Sequence, residues 1–324
     1  MKLEVWQSLN IEQKALAERY LGLPTNVGCS SSEVFEFIPT RIRNLIGTWS
    51  GREASCAWRG VPLKSVAQAV PTYSMSCFLL SKTTCKKMRS PIANYWWGSS
   101  ADSKHIHWLS WDRLTYPKAL GGMGFRDMRN FNLAMLGKQG WRLMTNPDSL
   151  CARVLKGRYY HDGNFLTSTR RKHASHTWRA ILAGREVLKQ GLIKRIGNGT
   201  STHIWRDRWL PDHFGAPPFT PEEGQPVSMV SELLSENGQW NEEVIKQSFI
   251  PVDNVAILRT PARIHHDDVW AWEPERHGFY SVRSAYKLLD MARIRDNEGP
   301  EASTSENTVW RKIWKLKVPP KIKH

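Results

Sequence analysis

Histidine and aspartate pairs are the residues whose spacing comes nearest to a metal or catalytic site. The run His265–Asp268 joins two histidines to two aspartates, and His105 and His107 stand two residues apart. A metal site needs three or four converging ligands, and a polymerase or nuclease needs carboxylates that hold divalent ions. The aspartate pair starts a predicted strand in an acidic part of the chain, and no third ligand lies near the other histidines. We therefore expect neither group to bind a metal.

Motifs of known catalytic sites are absent from the sequence. It holds no G-x-S-x-G, H-E-x-x-H or Walker motif, the patterns of serine hydrolases, zinc proteases and nucleoside triphosphatases. The glycine run GGMGF at 121–125 lacks the Gly-Lys-Ser/Thr ending of a phosphate-binding loop. We interpret it as a hinge before a helix that starts near Asp127. The sequence thus predicts no catalytic residue, no cofactor and no small-molecule substrate.

Positive charge is concentrated in the middle of the chain, whose net charge is +16. Residues 82–215 carry 24 Lys and Arg against 8 Asp and Glu, residues 1–81 carry 8 against 6, and residues 216–324 carry 14 against 16. A basic segment of this kind is typical of a surface that binds nucleic acid. The simpler alternative is a basic surface without a partner.

The cations of this segment are expected to neutralise phosphates jointly, so that single substitutions matter little. The candidate nucleic-acid-binding residues are Lys82, Lys86, Lys87, Arg89, Lys104, Arg126, Arg129, Lys138, Arg142, Arg170, Arg171, Lys172, Arg195, Arg206 and Arg208. Lysine and arginine bind phosphates of any nucleic acid, so these residues do not indicate whether the partner is RNA, DNA or a hybrid. Most of the sixteen tryptophans are expected to anchor cores, and a minority could stack on bases.

Cysteine usage and hydropathy bear on the compartment. The five cysteines, Cys29, Cys56, Cys77, Cys85 and Cys151, include no C-x-x-C pair, which argues against a disulfide framework and a zinc knuckle. A reducing intracellular compartment fits this pattern. No apolar run approaches the roughly 20 residues that span a bilayer, so no membrane partner is expected. The start MKLEVWQSLNIEQK resembles neither a signal peptide nor a transit peptide.

Apolar periodicity and turn signals predict a mainly α protein with short β-hairpins, an α+β chain. A helical bundle is followed by a small mixed module. The predicted segments are 1–50, a helical part at 51–159, a basic loop, helix and hairpin at 160–215, a linker with small helices at 216–262, and a mixed part at 263–324.

Glycine and proline determine the most specific local predictions. Residues 51–63 are expected to be a broken stretch, with helix resuming near Lys64, because an interior proline costs roughly 3 kcal/mol and a glycine roughly 1 kcal/mol. Gly197-Asn198-Gly199 is a strong turn signal and predicts a β-hairpin between Ile196 and Ile204-Trp205. Other short strands are predicted at 105–109, 269–272 and 279–282.

Eight short motifs occur in the order that one protein family shows. They are YLGLPTNVG at 20–28, KSVAQAVPTYSMSCFLL at 64–80, NYWWGS at 94–99, KHIHWLSWDRL at 104–114, GGMGFRDMRNFNLAMLGKQGWRL at 121–143, IGNGTSTHIWRDRWLP at 196–211, FYSVRSAYKLL at 279–289 and VWRKIWKLKVPPKIK at 309–323. In this order the chain resembles the reverse transcriptases of plant non-LTR (LINE-type) retrotransposons, downstream of the polymerase palm. Each motif is weak alone, but together they cover nearly the whole chain from about residue 17.

The resemblance implies which part of such a polymerase the chain represents. In that family the catalytic Asp-Asp motif precedes YLGLP, and a zinc-binding-type region and often RNase H follow VPPKIK. Residues 1–50 would then follow the palm, residues 51–159 would be a thumb and connection segment, and residues 263–324 would begin a truncated zinc-binding-type region. The stretch 51–63 departs from the family, which has an unbroken helix there.

These implications together predict a non-catalytic remnant of a LINE-type reverse transcriptase that binds nucleic acid non-specifically. The alternative hypothesis, from a different class, is an inert, retrotransposon-derived reading frame without selected activity. The third hypothesis is a cryptic hydrolase. The family implies the nucleus as the compartment. Similar reading frames in plant mitochondria keep the mitochondrion open as well.

Overall fold

A computed structural model describes residues 19–24, 31–49, 55–98, 105–161, 163–169, 172, 174–211, 217–235, 237–298, 306–316 and 318. The helices are α1 (Ser31–Val34), α2 (Phe37–Trp49), α3 (Cys56–Pro62), α4 (Thr72–Cys77), α5 (Lys82–Trp97), α6 (Trp111–Thr115), α7 (Met128–Thr145), α8 (Leu150–Tyr159), α9 (His176–Gly191), α10 (Glu242–Ser248), α11 (Pro251–Arg259), α12 (Val282–Glu298) and α13 (Glu306–Lys315). The strands β1 (Arg19–Tyr20) and β2 (Leu23–Pro24) pair with each other, as do β3 (Leu192–Arg195) and β4 (Val269–Trp272). The predicted class, mainly α with short β elements, is confirmed. Within the described residues, no helix is both long enough and apolar enough to cross a membrane.

The chain divides into two compact units, neither of which is one continuous segment. Unit 1 comprises residues 1–132, 175–180 and 293–324, and unit 2 comprises residues 133–174 and 181–292. The basic segment 82–215 therefore contributes to both units. The five segments proposed from the sequence stay a prediction.

The core of unit 1 is centred on α2 and α5, which pack against each other. α2 buries Ile38, Ile42 and Ile46, a four-residue spacing that places the three side chains on one helical face. α5 buries Met88 and Ile92 at the same spacing. The opposite side of α5 is exposed to solvent and carries the candidate residues Lys82 and Lys86.

Asn132 of α7 fixes the loop that leads into α5. Its side chain is fully buried, and its amide nitrogen donates to the carbonyl oxygens of Met75 (2.8 Å) and Phe78 (2.9 Å). Its amide oxygen accepts from the Leu80 N–H at 2.8 Å. The three hydrogen bonds satisfy backbone groups that would otherwise lack partners, and α5 starts just after them at its N-cap Ser81, whose side chain accepts from the Thr84 N–H.

The stretch 51–63 contradicts the expected break in the part that the structure describes. Of the described residues, α3 covers 56–62 and continues directly as a π-helix at Leu63–Ala67, so helix is already present before Lys64; residues 51–54 lie outside the described residues. The wider π turn after Pro62 is closed by the hydrogen bond from the Gln68 N–H to the Leu63 carbonyl at 3.0 Å, and Pro62 itself has no N–H to donate. Gly60 packs closely against Trp96, since a Cβ there would lie 3.2 Å from the ring, a tight contact. Tertiary packing thus overrides helix propensity.

The hairpin predicted around residues 197–199 is wrong. β3 pairs antiparallel with β4, with Leu192 opposite Trp272 and Arg195 opposite Val269. A local turn signal says nothing about a strand partner that lies far downstream. The turn itself exists, but a carboxylate beside β4 holds it, as the next section describes.

Two other predicted strands are absent from the described residues. Residues 105–109 are exposed and form no strand, and α12 begins at Val282, the last residue of the predicted strand 279–282. Tyr280 is used for packing instead of pairing: its ring lies 4.7 Å from that of Trp272, and its hydroxyl donates to the Ala134 carbonyl at 2.8 Å.

Candidate nucleic-acid interface

The aspartate pair at 267–268 holds a turn together. The Asp268 carboxylate accepts hydrogen bonds from backbone and side-chain donors of residues 197–202. The donors are the N–H groups of Gly197 (2.7 Å), Gly199 (2.9 Å) and Ser201 (3.0 Å), and the hydroxyls of Ser201 (3.1 Å) and Thr202 (2.7 Å). This set explains the motif IGNGTST: small residues let successive N–H groups converge on one carboxylate.

The same hydrogen bonds keep Asp268 ionised. Burial by itself raises the pKa of Asp268, but the bonds from Thr202 and from the N–H groups of the turn outweigh burial and hold that pKa below its ordinary value of 3.8. Oxygens engaged in this way are poorly placed to bind a metal. Across the described ranges, no group of three or more His, Cys, Asp or Glu could hold one, and the His107 ring stacks on Trp97 at 6.0 Å.

Five of the fifteen predicted binding residues are tied into the fold. Each donates to a backbone carbonyl: Arg126 to Gln68 (3.4 Å), Arg129 to Leu80 (2.7 Å), Lys138 to Tyr280 (3.0 Å), Arg195 to Arg276 (2.8 Å) and Arg208 to Lys189 (2.7 Å). Burial, together with the nearby charge of Arg142, also lowers the pKa of Lys138. These residues stabilise loops and helix ends, and they are less available to a phosphate.

Two further predicted residues form ion pairs at the surface of unit 1. Lys87 Nζ lies 2.6 Å from Glu36 Oε2, and Arg89 Nη1 lies 3.2 Å from Asp112 Oδ1. Exposed pairs of this kind contribute about 0–1 kcal/mol and are screened by salt. A phosphate can therefore compete for either cation.

The remaining described candidates are exposed to solvent. They are Lys82 and Lys86 in unit 1, and Arg142, Lys172 and Arg206 in unit 2. Arg142 donates to the side chain of Gln139 at 3.3 Å. The other four make no ion pair within the described ranges. Lys104, Arg170 and Arg171 lie outside the described residues.

Lys82 and Lys86 stand four residues apart on α5, so their side chains are neighbours on the helix surface. Like charges at this spacing destabilise a helix by roughly 0.2–0.5 kcal/mol, and residues 82–97 contain no acidic side chain that could relieve the repulsion. A polyanion bound to this face would relieve it.

α8 carries three more exposed cations that sequence reasoning missed. Arg153, Lys156 and Arg158 are exposed and make no ion pair among the described residues, while the helix buries only Ala152 and Tyr159. The signal was present in the local charge: residues 142–172 contain 7 Lys and Arg against 2 Asp and Glu, a balance of +5. The neighbouring motifs cover residues 121–143 and 196–211, so no motif indicates α8.

Tryptophan is mainly a core residue in the described structure. Trp178, Trp209 and Trp272 are among its largest fully buried side chains. Trp58 and Trp108 are the tryptophans that stand out as exposed in the described residues, at 44% and 76%. Trp108 is therefore the tryptophan best placed to stack on an unpaired base.

Comparison with known proteins gives two relatives, although no family model matches the chain. An uncharacterized mitochondrial protein of Arabidopsis thaliana is 41% identical over 152 residues, which are 47% of this chain and 99% of that protein. The chain belongs to the family of this mitochondrial protein. A second Arabidopsis thaliana relative, named "Putative ribonuclease H protein", is 28% identical over 309 residues, which are 90% of this chain and 47% of that protein. The chain thus spans about half the length of this longer relative.

Replacing Asp268 should destabilise unit 2, because the turn N–H groups lose a charged acceptor. For Asp268→Ala we expect the free energy of unfolding to fall by about 2–4 kcal/mol, since a hydrogen bond to a charged group contributes roughly 1.5–3 kcal/mol. Its neighbour Asp267 accepts one bond, from Asn198 at 3.2 Å, so Asp267→Ala should cost less than about 1 kcal/mol. Urea unfolding of the three proteins at pH 7 measures the difference.

The same carboxylate makes stability depend on pH. Its folded-state pKa is lowered, so its contribution is present above the unfolded-state pKa of about 4 and is lost as pH falls through the lower folded-state value. The native chain should lose stability over this range more steeply than Asp268→Asn. If the free energy of unfolding depended on pH in the same way for the two proteins, the role assigned to Asp268 would be contradicted.

Proposed function

We propose that the chain is a non-catalytic remnant of a LINE-type reverse transcriptase that binds nucleic acid non-specifically through its phosphates. The ordered motifs support that origin. The two relatives are consistent with a retrotransposon-derived protein. The longer relative carries the name of a ribonuclease H protein, which supports a nucleic-acid partner.

The observation that carries the proposal is the exposed cationic surface of α8. Arg153, Lys156 and Arg158 project from a helix that buries few of its side chains. Lysine and arginine that neutralise phosphates release condensed counterions, and this release supplies most of the affinity in non-specific binding. Contacts with phosphate position a protein on the strand but carry no sequence information, so little sequence preference is expected.

The best-organised carboxylates support a non-catalytic role. Asp268 holds the turn at 197–202, and Asp253 is fully buried and accepts from the N–H groups of Phe219 (3.1 Å) and Thr220 (2.8 Å). Both carboxylates accept hydrogen bonds from backbone N–H groups and from threonine hydroxyls, those of Thr202 and Thr220. A two-metal polymerase site instead needs carboxylates whose oxygens are free to bind divalent ions.

The triple variant Arg153→Ala/Lys156→Ala/Arg158→Ala tests the α8 surface in the full chain. Its affinity for a short RNA or DNA should fall about tenfold or more at moderate salt, because up to three phosphate contacts are lost. Fluorescence anisotropy with a labelled oligonucleotide measures the dissociation constant, and circular dichroism checks that the variant is folded.

A matched control removes the same charge from another part of unit 2. Lys246, Arg259 and Lys287 are exposed and lie in residues 216–324, where acidic residues outnumber basic ones. Replacing these three by alanine should weaken binding less than about threefold. If both triple variants lost the same amount of affinity, net charge alone would determine nucleic-acid binding, and α8 would not be the interface.

Polymerase activity provides a separate test. The Asp-Asp motif of the family is not in this sequence upstream of YLGLP, so primer extension on an RNA template with Mg²⁺ or Mn²⁺ should give no product. Extension that co-purifies with the folded chain and disappears on chelation would overturn the non-catalytic assignment.

A further inference from the structure

A cavity of about 570 Å³ lies in unit 2 beside the β3–β4 pair. Apolar side chains line much of it, among them Ile193, Ile196, Trp209, Pro261 and Val269. The volume falls within the range of roughly 300–1,000 Å³ typical of small-molecule sites. The proposed phosphate-binding surface makes no use of this cavity.

The acidic side chains at the cavity already have partners within the protein. Glu273 pairs with Arg208 (3.4 Å), Glu275 accepts from the Ser281 hydroxyl (2.6 Å), and Asp267 accepts from the Asn198 amide (3.2 Å). Ser284, Lys287 and Arg283 also stabilise the Glu275 carboxylate. A cationic ligand would have to compete with these contacts. The acidic groups therefore do not favour a cation as the occupant.

Two arginines at the cavity remain available. Arg263 and Arg276 line it and are exposed, and neither forms an ion pair within the described part of the chain. The other two cations of the lining are engaged, since Lys194 lies 3.1 Å from Asp207 and Arg195 donates to the Arg276 and His277 carbonyls. The bonds from Arg195 also fix the backbone that carries the Arg276 side chain.

We infer that this cavity binds a nucleotide phosphate, with the phosphate on Arg263 and Arg276 and the base against the apolar wall. The planar guanidinium presents paired N–H donors that match a phosphate. A nucleotide combines this anionic group with a flat, largely apolar base, and the cavity offers both environments. A free ion such as inorganic phosphate would leave the apolar wall uncovered.

Calorimetric titration of the full chain with adenosine monophosphate and with adenosine tests the inference. The nucleotide should bind at least about tenfold more tightly than the nucleoside, because the charged hydrogen bonds to phosphate are lost in adenosine. Arg263→Ala and Arg276→Ala should each weaken nucleotide binding by about tenfold. Arg41→Ala removes an exposed cation of unit 1 that is not part of the cavity lining and should leave binding unchanged.

Three results would overturn the site. They are no nucleotide binding up to millimolar concentration, equal binding of nucleotide and nucleoside, and an equal loss of binding in Arg41→Ala. The comparison of nucleotide with nucleoside uses the native chain, so it stands even if an arginine variant fails to fold.

The phosphate can come from a free nucleotide or from the end of a strand. A 5′-phosphorylated dinucleotide that binds more tightly than the mononucleotide supports a strand end, and weaker binding supports the free nucleotide. The inference is independent of the α8 surface. Loss of mononucleotide binding in Arg263→Ala with unchanged affinity for long RNA would support two separate sites, whereas RNA binding without any mononucleotide binding would overturn the cavity alone.

Discussion

Forty-six lysines and arginines share this chain with thirty aspartates and glutamates, which leaves an excess of sixteen positive charges. Burying an uncompensated charge costs several kcal/mol, and the fold must therefore place the excess elsewhere. Some cations donate hydrogen bonds to backbone carbonyls: Arg129 donates to the Leu80 carbonyl and Arg208 to the Lys189 carbonyl. Others are exposed to solvent, among them Lys82 and Lys86 on α5 and Arg153, Lys156 and Arg158 on α8. The cationic helix surfaces are the consequence of this charge balance, and a polyanion is the partner they suit.

Local sequence signals predicted the elements that local contacts determine. The helix expected near Asp127 starts at Met128, where the Asp127 carboxylate accepts from the Asn130 N–H at 2.8 Å, and the helix expected at 150–159 has those bounds. The pairing of β3 could not be predicted in this way. Its partner strand and the Asp268 carboxylate that holds the turn both lie far along the chain, and only the folded structure brings them together.

The candidate site was predictable as a segment but not residue by residue. Arg126 and Lys86 look equivalent in a sequence, yet one is held by the Gln68 carbonyl and the other is exposed. Only tertiary contacts separate a structural cation from an available one. α8 was missed for a related reason: its cations carry no motif, and their availability follows from how little of that helix is buried.

Salt dependence tests the central claim most directly. The dissociation constant of the full chain for one RNA and one duplex DNA would be measured from about 50 to 300 mM salt. If phosphates supply the affinity, the logarithm of the association constant falls linearly with the logarithm of salt concentration, by about 0.9 per phosphate contacted on duplex DNA and 0.7 on a single strand. The account predicts a steep slope equivalent to several phosphates for both ligands. A flat dependence, or no binding at the lowest salt, would contradict it.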